Sequence, residues 1–159
     1  MVTFHNVDGE EIDSELFGAV DINQIYAMIK EGKDLNLDNF YIHEFSLSSY
    51  RRLHSIEKKE LVPIINFSAR NAFFEAKGCT DFTYSSFSPG EVSFDGSHFA
   101  KGKVLFNGSV FGSGNVIFSN TLFRDGNIEF TGCLFGDGDF MFKNSIVKDG
   151  IKDFLDIQF

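Results

Sequence analysis

A repeat of twelve residues runs through the second half of the chain and limits the folds that it can adopt. From Val92 the chain reads VSFDGSHFAKGK, VLFNGSVFGSGN, VIFSNTLFRDGN, IEFTGCLFGDGD and FMFKNSIVKDG. Counted from Val92, positions 1, 3 and 8 of each unit are apolar, position 6 is Ser, Thr or Cys, and position 11 is Gly. A repeat of this regularity indicates that similar structural units stack on one another.

Each unit contains two short alternating stretches, such as Val104-Leu105-Phe106 and Ser109-Val110-Phe111, and this alternation is typical of β-strands. The Gly and Asn residues between the strands suit backbone positions with φ > 0. Two-residue turns of the Asn-Gly type are also compatible with an antiparallel meander. We favour a parallel β-helix, because stacked coils explain why position 6 stays small beside the large residues of a narrow bore.

A coil of twelve residues is too narrow to hold two Phe and one Val, so we assign two repeats, or 24 residues in four short sides, to each coil. Twelve of the 21 Phe in this chain of 159 residues lie between Phe82 and Phe142, where the repeat places them in the bore. The predicted structural ladders are Phe82, Phe106 and Phe130; Phe87, Phe111 and Phe135; Phe94, Phe118 and Phe142; and Phe99, Phe123 and Val147.

The order of small residue, any residue and Phe resembles the pentapeptide-repeat family, over residues 31–47 and 64–150. The resemblance implies an all-β fold, namely a right-handed parallel β-helix with a quadrilateral cross-section, and a role in protein–protein interaction more than in catalysis. The Phe-to-Phe spacing alternates between five and seven, whereas the family keeps five, so we expect two expanded corners in each coil. The matching stretches are Ser97-His98-Phe99, Ser109-Val110-Phe111, Thr121-Leu122-Phe123 and Cys133-Leu134-Phe135.

The flanking sequence divides the chain into an N-terminal segment (1–34), the β-helix (35–152) and a C-terminal cap or dimer contact (153–159). Residues 21–31 are predicted to form a short helix that caps the open end of the β-helix, since exposed strand edges invite pairing with other chains. The helix signals are the N-cap Asp21 with Gln24, the apolar stripe of Ile22, Ile25, Tyr26 and Ile29, and Gly32 at the end.

Residues 48–63 interrupt the repeat and are basic, although Glu57 and Glu60 dilute the positive charge. Three interpretations stay open: a solvated insertion, a loop that docks a protein, and a patch for phosphate or nucleic acid. By resemblance, loops that project from pentapeptide-repeat helices dock proteins in some members of the family. The basic residues are Arg51, Arg52, His54, Lys58 and Lys59.

Outward-pointing positions of the predicted coils carry aliphatic side chains where a solvated solenoid would be polar. We therefore predict an apolar interaction side. Three kinds of cover stay open for it: the N-terminal residues 1–20, through Phe4, Leu16 and Val20; a second copy of the chain; or another protein. Its predicted residues are Val110, Ile117, Leu122, Leu134, Met141 and Ile146.

The sequence offers no convergent catalytic set, so we expect no enzyme, no cofactor and no metal. Cys79 and Cys133 are expected to be reduced structural thiols, and position 12 of the repeat lacks the carboxylates of a calcium ladder. The chain has no apolar run long enough for a bilayer, and its acidic start is unlike a signal peptide, so we expect a cytoplasmic protein without membrane contact. The net charge of −9 argues against direct nucleic-acid binding.

The sequence thus predicts a non-enzymatic protein–protein interaction module. We expect it either to form a homo-oligomer, namely a dimer, or to bind a different protein. One alternative, which the resemblance implies, is an acidic mimic of DNA that protects or inhibits a type II topoisomerase. Another alternative is an immunity or adaptor protein for a toxin.

Overall fold

The computed structural model of the chain describes residues 2–5, 11–15, 17–124 and 127–147. The two helices are α1 (Ile22–Lys30) and α2 (Leu47–Leu53). The strands before the regular repeat are β1 (Val2–His5), β2 (Glu11–Glu15), β3 (Gly18–Ala19), β4 (Asp34–Asn36), β5 (Phe40–His43), β6 (Val62–Ser68), β7 (Phe73–Glu75), β8 (Cys79–Asp81) and β9 (Ser85–Ser88). The strands from Val92 onward are β10 (Val92–Ser93), β11 (His98–Phe99), β12 (Lys103–Leu105), β13 (Val110–Phe111), β14 (Val116–Ile117), β15 (Leu122–Phe123), β16 (Ile128–Glu129), β17 (Phe140–Met141) and β18 (Ile146–Val147).

The strands form a parallel β-helix. Apart from the antiparallel pair β1–β2, every pair among the described strands is parallel, which shows that the antiparallel meander is wrong. Val92 pairs with Val116 and Val116 pairs with Phe140, so the chain returns to the same column after 24 residues. The prediction of two repeats per coil is therefore confirmed. The hand of the coil stays a prediction.

Each coil has four sides, which we number in chain order. Side one contains β8, β12 and β16, and side two contains β9 and β13. Side three contains β10, β14 and β17, and side four contains β5, β7, β11, β15 and β18. The longer strand β6 pairs with β9 through its first half and with β10 through Ser68, so it joins sides two and three.

Stacked phenylalanine rings fill the bore. Phe94, Phe118 and Phe142 stack with ring centroids 4.8 and 5.2 Å apart, and Phe118 is fully buried. The other predicted ladders have the same geometry: Phe82, Phe106 and Phe130 at 5.0 and 5.3 Å; Phe87, Phe111 and Phe135 at 5.2 and 4.7 Å; and Phe99 and Phe123 at 5.0 Å, with Val147 next in register.

Three ladders continue one rung further toward the N-terminus than the repeat predicts. Phe45 packs on Phe82 at 4.4 Å, Phe67 on Phe94 at 4.8 Å and Phe74 on Phe99 at 4.8 Å. The twelve-residue spacing is lost before Phe82, so sequence periodicity could not assign these rings to the bore.

The small residue at position 6 has a specific partner. The hydroxyls of Ser109 and Thr121 donate to the carbonyls of Phe82 and Phe94, at 2.8 and 2.9 Å, in the preceding coil. The Cys133 thiol makes the equivalent contact to the Phe106 carbonyl at 3.0 Å. These side chains are buried, so each one satisfies its polar atom against the backbone of the adjacent coil.

The corners explain the Gly and Asn residues in two different ways. At the tight corners Gly108 and Asn120 have φ of 71° and 55°, as predicted. At the wide corners Gly114 and Gly138 do not have positive φ, so that explanation is wrong for them. An added Cβ on Gly114 would lie 2.0 Å from the carbonyl oxygen of Gly90, one coil away, and so the stacking of backbones excludes any side chain there.

Helix α1 begins and ends where the sequence predicts. Asp21 and Gln24 form a capping box, and Gly32 follows the helix with φ of 64°. Ile25 and Ile29 are buried in the hydrophobic cluster that continues into the bore, so α1 closes the N-terminal end of the β-helix. The predicted C-terminal cap, residues 153–159, lies outside the described residues.

Both cysteines are free thiols, and Cys133 is buried. Burial raises the pKa of the Cys133 thiol to about 11. A thiol in the unfolded chain has a pKa near 8.5. Between about pH 8.5 and pH 11 the folded state therefore keeps a thiol proton that the unfolded state has lost.

We expect the contribution of Cys133 to the free energy of unfolding to be complete below about pH 8.5. This contribution should decline as the pH rises toward 11. The measurement is the urea midpoint at pH 7.5 and pH 10 for the wild type and for Cys133→Ser, which keeps the position-6 hydroxyl found elsewhere in the ladder. The wild type should lose more stability between the two pH values than the variant, and equal losses would contradict this assignment.

Candidate functional site

The six predicted apolar residues lie in three columns on three successive sides. Val110 and Leu134 are register partners on side two, Ile117 and Met141 on side three, and Leu122 and Ile146 on side four. Side three separates the other two columns along the coil. The structure therefore brings these residues together in pairs, and the three pairs follow one another around the coil instead of forming one flat side. We call this arrangement a belt.

The columns differ in exposure. Leu134 on side two has 43% of its surface exposed and Ile146 on side four has 64%, whereas Val110, Ile117, Leu122 and Met141 are half-buried. Isolated exposed hydrophobic residues are ordinary on protein surfaces, so the two most exposed members need neighbours to indicate an interface.

Side two has such neighbours. The column of Val110 and Leu134 continues through Ser86 to the exposed Pro63 of β6. Leu61, which directly precedes β6, is 41% exposed. Side two thus carries exposed apolar residues in its first and last coils. We call Leu61, Pro63, Val110 and Leu134 the side-two surface.

Side four is partly covered within the chain. Strand β3 adds to this side next to β5, and the ring of Phe17 packs against Phe73 at 5.5 Å, which leaves Phe73 buried. Tyr41 also stacks on Phe73, and its hydroxyl donates to Glu75 at 2.5 Å. Burial and this bond to Glu75 raise the pKa of Tyr41 to about 12.

Among the described residues of the N-terminal segment, Phe17 and β3 therefore cover the first coils of side four, whereas Ile146 at the other end of this side is exposed. Val20, one of the residues that could have covered the apolar side, instead packs against the interior cluster. The side chain of Phe4 and the whole of Leu16 lie outside the described residues, so their predicted role is not tested.

The insertion at 48–63 contains an unpredicted helix. Ser46 caps α2, and Leu47 and Tyr50 are buried. Asp81 of side one anchors the start of this helix, because its carboxylate accepts bonds from the Ser46 hydroxyl at 3.0 Å and the Ser48 amide at 2.9 Å. Burial opposes ionisation of Asp81, but hydrogen bonds from Ser48 and Thr83 outweigh burial and hold its pKa below the usual range.

Arg51 ties the insertion to the corner between sides one and two. Its Nε donates to the Glu60 carbonyl at 2.9 Å, and its Nη2 donates to the carbonyls of Thr83 and Tyr84 at 2.5 and 2.7 Å. The guanidinium also lies 5.7 Å from the centre of the Tyr84 ring. Arg51 is only 2% exposed, so the expectation that all the basic residues of this segment are solvated is wrong for Arg51.

A cavity of about 300 Å³ lies beside α2 and is lined by Ser48, Arg51, Arg52, Ile56 and Lys58. Three of its five residues are cationic. Its volume is at the lower end of the range for small-molecule sites. The sequence shows that Arg51, Arg52 and Lys58 are basic but not that they line one cavity, because Arg51 is held in place by carbonyls more than 30 positions away.

The described residues contain no group of three or more His, Cys, Asp or Glu side chains arranged to hold a metal ion. Within the same part of the chain, no helix is long and apolar enough to cross a membrane. No family model, no curated protein and no solved structure matches this chain in sequence or fold comparisons.

Proposed function

We propose that this protein is a non-enzymatic, pentapeptide-repeat-like β-helix that acts as a rigid protein–protein interaction module. The observation that carries the proposal is the side-two surface, where Leu134 and Leu61 are 43% and 41% exposed on a scaffold held by stacked rings. A partner that buries these side chains gains about 25 cal/mol for each Å² of apolar surface, without ordering a flexible loop first. The cytoplasmic location expected from the sequence stays a prediction.

The first partner to test is a second copy of the chain. We expect the wild type to be a dimer by light scattering and Leu134→Asp to be a monomer with an unchanged circular-dichroism spectrum, because a carboxylate at the centre of an apolar contact loses its hydration. Ile146→Asp, on side four, is the matched control and should stay dimeric. The double variant Ile117→Asp/Leu122→Asp tests the half-buried columns of sides three and four.

A wild type that is monomeric would exclude the homodimer and direct the test to another protein. In that case, affinity capture with the wild type, Leu134→Asp and Ile146→Asp should yield a protein that only Leu134→Asp fails to retain. If all three baits retain the same proteins, the side-two surface is not the docking site.

The two alternative functions from the sequence stay predictions. The acidic DNA mimic needs unpaired carboxylates along the β-helix, yet Glu75, Glu91 and Glu129 are paired with Lys101, Arg70 and Lys103 at 3.0, 2.6 and 3.2 Å. A supercoiling assay with a type II topoisomerase tests that function directly, and inhibition at stoichiometric protein would favour it over the interaction module. An immunity or adaptor role would be one use of the same side-two surface.

A further inference from the structure

Arg51 carries a charge that the surrounding protein does not balance by an ion pair. Among the described residues, no carboxylate lies within 4.0 Å of its guanidinium nitrogens, and its partners are the neutral carbonyls of Glu60, Thr83 and Tyr84. Asp81 and Glu60 act on it only at longer range. Buried charges in proteins are normally paired, because removing an ion from water is costly.

The same side chain has an unsatisfied donor. Nη1 of Arg51 is buried and has no hydrogen-bond partner, although Nε and Nη2 are both bonded. Buried polar groups without a partner are rare and cost about 1–3 kcal/mol, or more when charged. Arg51 lines the cavity beside α2, so a negatively charged group in the cavity would supply the counter-charge that the buried guanidinium lacks at ion-pair distance.

The other walls of the cavity favour a doubly charged group. Arg52 and Lys58 are exposed, and neither is ion-paired within the described part of the chain. Within the described residues, Arg52 donates to the Ser49 hydroxyl at 3.0 Å. Three cations around one cavity exceed the charge of one carboxylate, whereas a phosphate monoester carries nearly two negative charges at neutral pH.

The remaining walls indicate that the ligand also has a carbon skeleton. Ile56 contributes an apolar surface, and a volume of about 300 Å³ leaves room beyond a single phosphate group. We propose that the cavity bounded by Ser48, Arg51, Arg52, Ile56 and Lys58 binds a small organic phosphate monoester, independently of the side-two surface.

In this complex the phosphate lies between the guanidinium of Arg51 and the exposed cations of Arg52 and Lys58, and the organic part packs on Ile56. Charge-assisted hydrogen bonds from arginine to phosphate are about twice as strong as neutral ones. Occupation of the cavity also stabilises the folded state, since the ligand holds the turn between α2 and β6 that the unfolded chain lacks.

The test is calorimetric titration of the full chain with phenyl phosphate, with benzoate as a singly charged probe of similar shape and inorganic phosphate as a probe without the ring. We expect saturable binding of phenyl phosphate with a dissociation constant below about 1 mM, and binding of the other two probes at least about tenfold weaker. Equal affinity for benzoate would overturn the assignment to a phosphate, and equal affinity for inorganic phosphate would overturn the role of Ile56.

Lys58→Met and its neighbour Lys59→Met form a matched pair, since both residues are exposed and only Lys58 lines the cavity. We expect Lys58→Met to weaken phenyl phosphate binding about tenfold and Lys59→Met to leave it unchanged. Neither variant removes a buried contact, so both should fold, and the unliganded urea midpoint verifies this. If the two variants bind alike, or if the wild type does not bind phenyl phosphate, the proposal is wrong.

Discussion

The Gly114→Ala variant should lose about 3 kcal/mol or more of its free energy of unfolding, the largest effect that we expect from adding one methyl group. The new Cβ would lie 2.0 Å from the carbonyl oxygen of Gly90, 2.1 Å from its carbon and 2.5 Å from the nitrogen of Glu91. All three are backbone atoms of the adjacent coil, so a side-chain rotation cannot relieve the overlap. The coils would have to separate, and separation weakens the backbone hydrogen bonds around Val116.

Gly78→Ala is the matched control for this prediction. Gly78 occupies the same repeat position as Gly114, three units earlier and in the other column of wide-corner glycines. Its φ is not positive, and its added Cβ meets nothing within 4 Å. We expect its stability to change by less than about 1 kcal/mol. The measurement is the urea midpoint of each variant, and similar losses for Gly78→Ala and Gly114→Ala would show that backbone stacking is not the reason for glycine at position 114.

The Phe118→Ala variant should lose about 3–5 kcal/mol. Phe118 is fully buried and stacks between Phe94 and Phe142, and it also meets Phe106 and Phe130 edge-on at 5.5 and 5.8 Å. The rings above and below belong to adjacent coils whose backbones are hydrogen-bonded. They cannot close the gap, so the full cavity cost remains.

Phe142→Ala is the control for the ladder. Phe142 lies in the last described coil and is only partly buried, so we expect its removal to cost about 1–2 kcal/mol. Both variants are compared with the wild type by urea unfolding, with the slope of the transition checked for constancy. An equal cost for the two substitutions would mean that the central ring is not held more tightly than the terminal one.

The interior of the β-helix could be predicted from the sequence because its chemistry repeats. Phe106 and Phe118 lie in the bore for the same reason as Phe130, since each is next to an identical ring 24 residues away. Helix α1 could be predicted as well, because a capping box and an apolar stripe are local signals. The rings of Phe45, Phe67 and Phe74 were missed, because the insertion and the irregular spacing before Phe82 hide the period.

The candidate sites could be predicted only in part. Periodicity assigned Val110, Leu134 and Ile146 to outward positions, but their exposure depends on which sides other segments cover. Phe17 and β3 cover part of side four, and no residue spacing encodes that contact. The belt arrangement likewise follows from the four corners of the coil, which place neighbouring columns on different sides.

The repeat alone predicts how the coils of this protein stack: a period of twelve, a coil of 24 residues, rings in the bore, small residues beside them and glycine at the corners. These properties follow from contacts between identical positions in successive coils, so a linear repeat contains them. The burial of Arg51 beside Thr83 and Tyr84, and the position of Arg52 and Lys58 at the same cavity, are visible only in the folded chain. The insertion has no repeated partner, and its conformation depends on single contacts between residues that are far apart in the chain.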